Sequence, residues 1–285
     1  MEAFVLEGVW KYYGATAALQ GVSLRMGGGL NVIVGPNGSG KTTIVKLLLG
    51  ATRPSRGLVR TLGLDPAREG DRVTMLVGMG LEGISLPWWL TGYDVLKTLA
   101  KTRSLEWGLV REIAGVLGVD SYWGRSIRGY SMGMRKRLLL AAAFSAAREA
   151  LVLDEPFTLL DARSRGAADS LILDYSRKLP VLVTTHVVTP SMLNAGFVAV
   201  IASGRIVASA SVESLDYRDV VCEPAGEQEE FMADLVRAGR LEFMELYEGR
   251  VMASYSEPPR WDVIARHNCR PSLFRLLRYE RLGGV

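Results

Sequence analysis

The segment GPNGSGKTT at 35–43 constrains the fold of this 285-residue chain more than any other stretch of its sequence. It fits the pattern G-x-x-x-x-G-K-[ST], and it lies between a run typical of a buried strand and a run typical of a helix. Glycines let backbone N–H groups approach phosphate oxygens, and the start of the following helix adds a positive dipole end. The sequence therefore predicts a triphosphate-binding loop in an α/β fold.

Two side chains in this loop have separate predicted roles. Lys41 supplies a cation for the β- and γ-phosphates, and the Thr42 hydroxyl is suited to coordinate Mg²⁺. A purely structural glycine-rich turn would explain the glycines but not this Lys-Thr pair. We expect the nucleotide to be held by the whole run of Gly35, Pro36, Asn37, Gly38, Ser39, Gly40, Lys41, Thr42 and Thr43.

A second chemical pattern is LVLDEP at 151–156, where an apolar strand ends in two acids. Asp154 is placed to hold Mg²⁺, directly or through water. Glu155 is predicted to face the γ-phosphate and to polarise the attacking water. An acid pair after a strand is common by itself, but together with the phosphate loop it predicts nucleotide hydrolysis.

Composition is that of a globular protein, with 48% hydrophobic and 22% charged residues and a formal net charge of +4. This mild excess, mostly arginine, is compatible with anionic partners or with a solvated surface. Cys222 and Cys269 have no metal-ligand spacing, so we expect no disulfide framework and a reducing cytosol. We find no signal-peptide pattern and no apolar run of the roughly 18–20 residues that a membrane helix needs.

Periodicity divides the chain into two parts. Residues 2–9 and 22–26 suit an antiparallel sheet, and 30–35, 150–154 and 180–185 suit buried strands. A largely helical segment spans about 83–147. The run 197–209 is typical of a hairpin that turns at Ser203-Gly204. From about 216 to 285 the pattern predicts strand, helix, hairpin and a final helix, which together form a small α+β appendage.

These motifs resemble the ATP-binding cassette (ABC) family over about residues 1–215. The family's signature segment, usually LSGGQ, stands here as YSMGM at 130–134, followed by a basic RKR. The resemblance implies a P-loop NTPase cassette with a RecA-like core, an antiparallel β-subdomain and the helical subdomain. It also implies that Ser131 and Gly133 contact the ATP bound by an opposing cassette; Met132 and Met134 depart from the usual signature.

Further positions follow in the family's order. His186 corresponds to the switch histidine near the γ-phosphate, and Asp161 corresponds to a loop that crosses the interface between cassettes. Tyr13 corresponds to the aromatic that stacks on adenine, with Tyr12 as the alternative. The glutamine that usually helps ligate Mg²⁺ is replaced by Glu82, which adds a negative charge near the phosphates.

The resemblance also suggests a subfamily and a partner. Glu82, the YSMGM variant and the phrase RPSLFRLL at 270–277 are similar to multidrug and polysaccharide exporter ATPases. The segment after Glu82 contains Trp88 and Trp89, one of which we expect to contact a membrane-embedded permease. The basic residues Arg135–Arg137 are expected to form a solvated helix face that steers ATP.

The sequence thus predicts an ATPase that powers a membrane transporter, with ATP and Mg²⁺ as its cofactors. Its expected partners are a second cassette, identical or paralogous, and a permease that holds it at the cytoplasmic face of the membrane; no nucleic acid partner is expected. One alternative is a soluble ABC ATPase of iron–sulfur assembly, translation or repair. Another is a substrate-uptake ATPase with a regulatory C-terminal domain.

Overall fold

The structure is a computed structural model, and it describes most of the chain. The described residues are 2–187, 189–211, 219–222, 228–247, 250–255, 259, 267 and 269–271. The final helix expected at 273–282, and most of the phrase at 270–277, lie outside these residues.

The fold is built on a six-stranded sheet with strand order β5-β6-β7-β3-β8-β9. Its first five strands are parallel and β9 runs antiparallel to β8. The strands are β3 (Leu30–Val34), β5 (Val77–Gly80), β6 (Ala150–Asp154), β7 (Val181–Thr185), β8 (Phe197–Ala202) and β9 (Arg205–Ser211). β3, β6 and β7 are buried at every position, because a parallel sheet is covered on both faces.

Alternate side chains of β3 enter two different hydrophobic cores. Val32 and Val34 belong to the core that contains the helical segment, whereas Ile33 belongs to the core beneath the N-terminal sheet. This alternation follows from the two-residue period of a strand. The central sheet is therefore the middle layer, and the ends of its strands lie between the two cores.

Helices cover both faces of this sheet. They are α1 (Lys41–Leu48), α2 (Gly70–Leu76), α3 (Gly92–Thr102), α4 (Trp107–Val116), α5 (Met132–Ala146) and α6 (Ala162–Ser176). A further helix, α7 (Gln228–Arg237), belongs to the C-terminal part. Gly50, with φ of 73°, terminates the phosphate-loop helix as expected from the sequence, and its N–H donates to Leu47 O.

An antiparallel sheet forms the N-terminal layer, with order β2-β1-β4. It comprises β1 (Phe4–Tyr13), β2 (Thr16–Met26) and β4 (Arg56–Thr61). The expected hairpin between β8 and β9 is also present. Ser203 and Gly204 both have positive φ, 48° and 76°, as a two-residue turn between twisted strands requires.

Helices α3, α4 and α5 form the helical segment. It begins with a capping box: Thr91 Oγ1 accepts from the Asp94 N–H, and the Asp94 carboxylate accepts from the Thr91 N–H. Residues 81–91, expected to be partly helical, instead form a loop and turns between β5 and α3. That loop extends from the sheet edge to the helices.

The C-terminal part contains a four-stranded sheet with order β11-β12-β10-β13. Its strands are β10 (Asp219–Cys222), β11 (Leu241–Tyr247), β12 (Arg250–Tyr255) and β13 (Arg270–Pro271). With α7 it has its own core, and Val221 and Met252 pack on Leu193 of the larger part. The division at residue 215 stays a prediction, since 212–218 are outside the described residues.

The expectation that the two cysteines stay unpaired is wrong: Cys222 and Cys269 form a disulfide. β10 and β13 pair antiparallel with Val221 opposite Arg270, so the two cysteines become cross-strand neighbours with a Cα–Cα distance of 4.0 Å. Their 47-residue separation in sequence concealed this contact.

Within the described ranges, none of the helices has the length and apolar character needed to span a bilayer.

Candidate functional site

The phosphate loop folds around its own lysine. Lys41 begins α1 and is only 5% exposed. Its Nζ donates to Pro36 O at 3.1 Å and also to Gly35 O. The loop therefore presents an ammonium that is held by backbone carbonyls at the end of β3, where a triphosphate would find its positive charge.

Two loop positions accept only glycine. A Cβ at Gly35 would lie 2.2 Å from Ile201 O. Gly40 has φ of 112°, and a Cβ there would lie 2.8 Å from the Leu19 side chain and 2.9 Å from Ala18 O. Glycine is required at these positions because the loop turns tightly against β2 and β8.

Asp154 is fully buried at the end of β6 and is oriented by the neighbouring strand. Its Oδ1 accepts a hydrogen bond of 2.5 Å from Thr184 Oγ1 on β7. Its Oδ2 is buried and has no hydrogen-bond partner among the described residues. Because buried carboxylate oxygens are ordinarily paired, this one is suited to a cation or an ordered water.

Glu155 follows in a left-handed backbone conformation with φ of 47°. Its N–H donates to Thr184 O at 2.8 Å, which holds the strained residue against β7. Such a conformation costs a non-glycine residue about 1–2 kcal/mol, so the surrounding structure must enforce it. It turns the Glu155 side chain away from the strand direction and toward the phosphate loop.

The Glu155 carboxylate lies between a lysine and a histidine. Oε1 is 3.1 Å from Lys41 Nζ, and Oε2 is 2.9 Å from His186 Nδ1. Oε2 also accepts the backbone N–H of His186 at 3.3 Å. The structure thus brings together three predicted site residues that are far apart in sequence, with the carboxylate buried and the imidazole partly exposed.

A cavity of about 340 Å³ is lined by residues of the phosphate loop and by two predicted acidic site residues, Glu82 and Glu155. Its volume falls within the range of small-molecule sites. Glu82, in the loop after β5, lies on its wall together with Glu155. The lining residues are Ala18, Asn37, Gly38, Ser39, Gly40, Lys41, Thr42, Thr43, Glu82 and Glu155.

The oxygen ligands around this cavity fit a magnesium ion that is shared with a nucleotide. Thr42 and Glu82 line the cavity, and the unpaired Oδ2 of Asp154 lies at the strand end behind it. In the described part of the chain no three His, Cys, Asp or Glu side chains form a complete metal site. Mg²⁺ commonly takes one or two carboxylates and completes its shell with substrate phosphates and water.

Ser131 and Gly133 do not line this cavity. Ser131 caps helix α5, its Oγ accepting from the Met134 N–H at 3.2 Å, and it is exposed. A Cβ at Gly133 would lie 2.8 Å from Leu159 O, so the start of α5 packs closely on the loop before α6. Met132 is 67% exposed beside them.

Like Ser131, Asp161 lies outside the lining of the cavity and caps a helix, in its case α6. Its Oδ1 accepts the Ser164 N–H at 2.8 Å, and hydrogen bonds from Ser164 hold the pKa of Asp161 below its usual range. Its neighbour Leu159 has φ of 66° and is 57% exposed. The predicted contacts of Ser131, Gly133 and Asp161 with a second cassette stay predictions.

The two tyrosines at the end of β1 are exposed and lie outside the lining of the cavity. Tyr13 is 46% exposed, and its ring makes a cation–π contact with Lys11, whose Nζ lies 4.9 Å from the ring centroid. Tyr12 stacks on Trp10 at 6.0 Å between centroids. Of the two, Tyr13 has the ring without an aromatic neighbour among the described contacts, so it stays the preferred adenine partner.

Trp88 and Trp89 are exposed, by 57% and 64%, and their rings meet edge to face at 5.5 Å. The backbone below them is fixed, because Trp88 O accepts from Ser126 Oγ at 2.8 Å and from Arg128 N at 3.0 Å. The Arg128 guanidinium lies 5.7 Å from the Trp88 ring centroid. These two residues form a fixed apolar projection, which we call the tryptophan pair.

The expectation of a wholly solvated Arg135–Arg137 cluster is wrong. Lys136 is buried, and its Nζ donates to Asp154 O at 3.3 Å. The Arg137 guanidinium lies over the Tyr122 ring, 5.0 Å from its centroid. Arg135 is exposed, and its Nη2 donates to Ile127 O at 3.4 Å. The spacing of Lys136 from Leu140 and Phe144, both buried, is the sequence signal that could have identified its inward direction.

Comparison with known proteins gives the same assignment as the motifs. The family described as "ABC transporter" matches residues 19–158. The chain is 34% identical to the daunorubicin/doxorubicin resistance ATP-binding protein DrrA of Streptomyces peucetius, over 75% of this chain and 66% of that protein. It is 33% identical to the daunorubicin resistance ATP-binding protein DrrA3 of Streptomyces coeruleorubidus, over 79% and 75%. It is 31% identical to the aliphatic sulfonates import ATP-binding protein SsuB of Corynebacterium glutamicum, over 74% and 85%.

A solved structure supports the fold. A dimeric ATP-binding cassette in a post-hydrolysis state, bound to ADP and Pi, matches with a TM-score of 0.65 at 19% identity, over 73% of this chain and 98% of the other. The α/β cassette fold that the sequence predicted is confirmed.

Proposed function

Since the chain belongs to the ABC transporter family, we propose that it is the ATP-hydrolysing cassette of an exporter, acting in a pair beneath a membrane-embedded subunit. The observation that carries this proposal is the Glu155 carboxylate, held between Lys41 of the phosphate loop and His186. Lys41 and Glu155 line one cavity, and His186 contacts the same carboxylate, which supports a role for Glu155 as the base.

Binding of ATP uses the charge of Lys41. Its ammonium donates to Gly35 O and Pro36 O and pairs with the Glu155 carboxylate. Phosphate oxygens would take the place of some of these partners, while the loop N–H groups and the start of α1 contribute further donors. The nucleotide thereby releases Glu155 from Lys41 and makes its carboxylate available.

Hydrolysis depends on Glu155 and His186. Glu155 orients the attacking water toward the γ-phosphate, and the two contacts from His186 fix the rotation of its carboxylate. His186, whose side chain is 39% exposed, would contact the γ-phosphate. Thr42, Asp154 and Glu82 would hold Mg²⁺, which would supply positive charge to the phosphate oxygens.

A second cassette completes the site. Ser131, Gly133 and Asp161 lie on one outer face, with exposed Met132 and Leu159 among them. The N–H groups at the start of α5 point to this face, where they suit the phosphates of an opposing nucleotide. The partner is a second copy of this chain or a paralogous cassette.

The tryptophan pair is the contact with the membrane-embedded subunit. Its rings are exposed on a backbone that hydrogen bonds fix, and large aromatic side chains of this kind are enriched at interface centres. Through this contact the chain is peripheral at the cytoplasmic face of the membrane.

Export is favoured over uptake by the family variants at the site. Glu82 and YSMGM resemble the exporter type, and two similar proteins are named for daunorubicin resistance. One similar protein is named for import of aliphatic sulfonates, so the direction needs a direct measurement. Inverted vesicles containing the membrane subunit and this chain should accumulate substrate when ATP is added outside.

The test of ATP hydrolysis uses the full chain, alone and with its membrane subunit. We expect uptake of ATP–Mg²⁺ and release of phosphate, and we expect Lys41→Ala to abolish nucleotide binding. Lys178→Ala, which removes an exposed lysine at the end of α6, is the matched control and should bind normally. If the wild-type chain neither binds ATP nor releases phosphate in either setting, the proposed function is wrong.

A further inference from the structure

A second buried lysine lies behind the acid pair, and neither the phosphate loop nor the signature segment accounts for it. Lys136, in the second turn of α5, is 8% exposed. Its Nζ donates to the backbone carbonyl of Asp154 at 3.3 Å, a bond buried between helix and strand. It is the charged link between α5 and the end of β6.

Three carboxylates act on this ammonium. Burial lowers the pKa of Lys136, while the negative charges of Glu82, Asp154 and Glu155 oppose that lowering. The electrostatic contribution of Glu82 is the largest of the three. Because its ammonium is hydrogen-bonded to Asp154 O, one residue before the cavity-lining Glu155, Lys136 contributes positive charge directly behind the phosphate cavity, although it does not line that cavity.

Without Lys136, the negative charges at and behind the cavity would outnumber the positive ones. Glu82 and Glu155 line the cavity proposed to accept a triphosphate, and Asp154 precedes Glu155 at the end of β6. The ion pair that the structure describes for Lys41 is with Glu155. A carboxylate near other anions in a partly buried site is destabilised unless a cation is close. Lys136 is the cation whose largest electrostatic partner is Glu82.

We propose that Lys136 is a positioning residue for ATP hydrolysis. Its ammonium fixes the strand end that carries Asp154 and Glu155, and its charge offsets the Glu82 carboxylate so that the triphosphate is tolerated beside it. This inference rests on the proposed function, because it concerns how the same site tolerates its acids.

A structural role alone would give the same burial, so the test must separate packing from charge. The variants are Lys136→Met, Lys136→Gln and Glu82→Gln, together with the two double variants. Each full-length protein is assayed for kcat, for KM of ATP–Mg²⁺ and for the Mg²⁺ concentration at half-maximal rate. Lys178→Met, which removes an exposed positive charge, is the control and should match wild type.

Lys136→Met should lower kcat about tenfold or more and raise the KM for ATP–Mg²⁺, because the Glu82 charge is then uncompensated and repels the triphosphate. The Mg²⁺ concentration at half-maximal rate should fall, because the cation site has become more negative. In the Glu82→Gln background the same change should cost at least about threefold less, as expected for directly coupled charges. Lys136→Gln, which keeps a hydrogen-bond donor without the charge, should behave like Lys136→Met if charge is the cause.

Equal losses in both backgrounds, or a Lys136→Gln variant with wild-type kcat, would overturn the inference. If Lys136→Met does not fold, Lys136→Gln carries the same comparison. A wild-type chain without ATPase activity would instead contradict the proposed function, so the two failures are distinct.

Discussion

His186 holds Glu155 by two hydrogen bonds to the same carboxylate oxygen: Glu155 Oε2 lies 2.9 Å from the imidazole Nδ1 and 3.3 Å from the His186 backbone nitrogen. The other oxygen, Oε1, faces Lys41. One carboxylate thus connects the strand end of β7 with the phosphate loop, and its contacts on both sides fix its rotation.

Glu155→Gln should bind ATP but lower its hydrolysis at least about 100-fold, since an amide is a poor base. The amide keeps the size of the side chain, so nucleotide binding should remain. We expect the variant to accumulate as an ATP-bound pair of cassettes, measured by size-exclusion chromatography with ATP and by phosphate release. An unchanged rate of phosphate release would refute the role of Glu155.

Thr184→Val should weaken the orientation of Asp154. The substitution keeps the shape of the buried side chain but removes the hydroxyl that donates to Asp154 Oδ1 at 2.5 Å. Loss of a buried hydrogen bond to a charged group costs about 1.5–3 kcal/mol of unfolding free energy. We expect kcat to fall about tenfold at saturating ATP, a loss of about 1.4 kcal/mol in transition-state stabilisation.

The control for this prediction is Thr61→Val. Thr61 is equally buried, and its hydroxyl donates to Leu48 O at 2.7 Å, away from the acids. It should lower thermal stability without changing kcat of the remaining folded protein. Equal kcat losses in both variants would show that Thr184 contributes stability only.

Replacing the tryptophan pair by alanines should impair assembly with the membrane-embedded subunit, because the exposed rings would supply the centre of the interface. Co-purification measures assembly, and binding of a fluorescent nucleotide by the isolated chain checks that its fold is intact. We expect the first to fall and the second to persist.

A matched control removes exposed apolar side chains from α4, in the helical segment that follows the loop of the tryptophan pair. Leu109 and Val116 on α4 are 42% and 48% exposed, so Leu109→Ala with Val116→Ala should leave co-purification intact. Normal assembly of the tryptophan variant would exclude the tryptophan pair as the contact.

The Cys222–Cys269 disulfide should stabilise the C-terminal sheet. It closes a separation of 47 residues, for which chain entropy gives an upper value of about 4 kcal/mol. A reducing agent should therefore lower the midpoint of thermal unfolding of wild type but not of Cys222→Ser with Cys269→Ser. Ready alkylation of both thiols in the native, non-reduced protein would show that the bond is not formed.

Contiguous patterns made much of this fold predictable. The phosphate loop, the acid pair at the end of β6 and the hairpin at Ser203-Gly204 each depend on neighbouring residues, so their local chemistry indicates the structure. The N-terminal antiparallel sheet and the order of helices and strands follow from the periods of apolar residues that are typical of strands and of helices.

Contacts across the sheet were beyond such patterns. Thr184 is one of two threonines at the end of an apolar strand, and only the parallel pairing of β6 with β7 places it opposite Asp154. The disulfide depends in the same way on the register of β10 and β13. Lys136 was misassigned because its arginine neighbours gave the segment a polar appearance, although its spacing from Leu140 already indicated the inner face of α5.

Helix α5 connects the exposed signature segment with the acid pair at the end of β6. Ser131 caps it on the outer face, and Lys136 reaches the back of the chain's own acid pair, separated by about 7.5 Å of helix axis. In a pair of cassettes one stiff element would then reach the nucleotide of the neighbour at one end and the home reaction centre within two turns. Because α5 is one rigid element, a displacement of its exposed end would also displace the side chain that holds the acid pair.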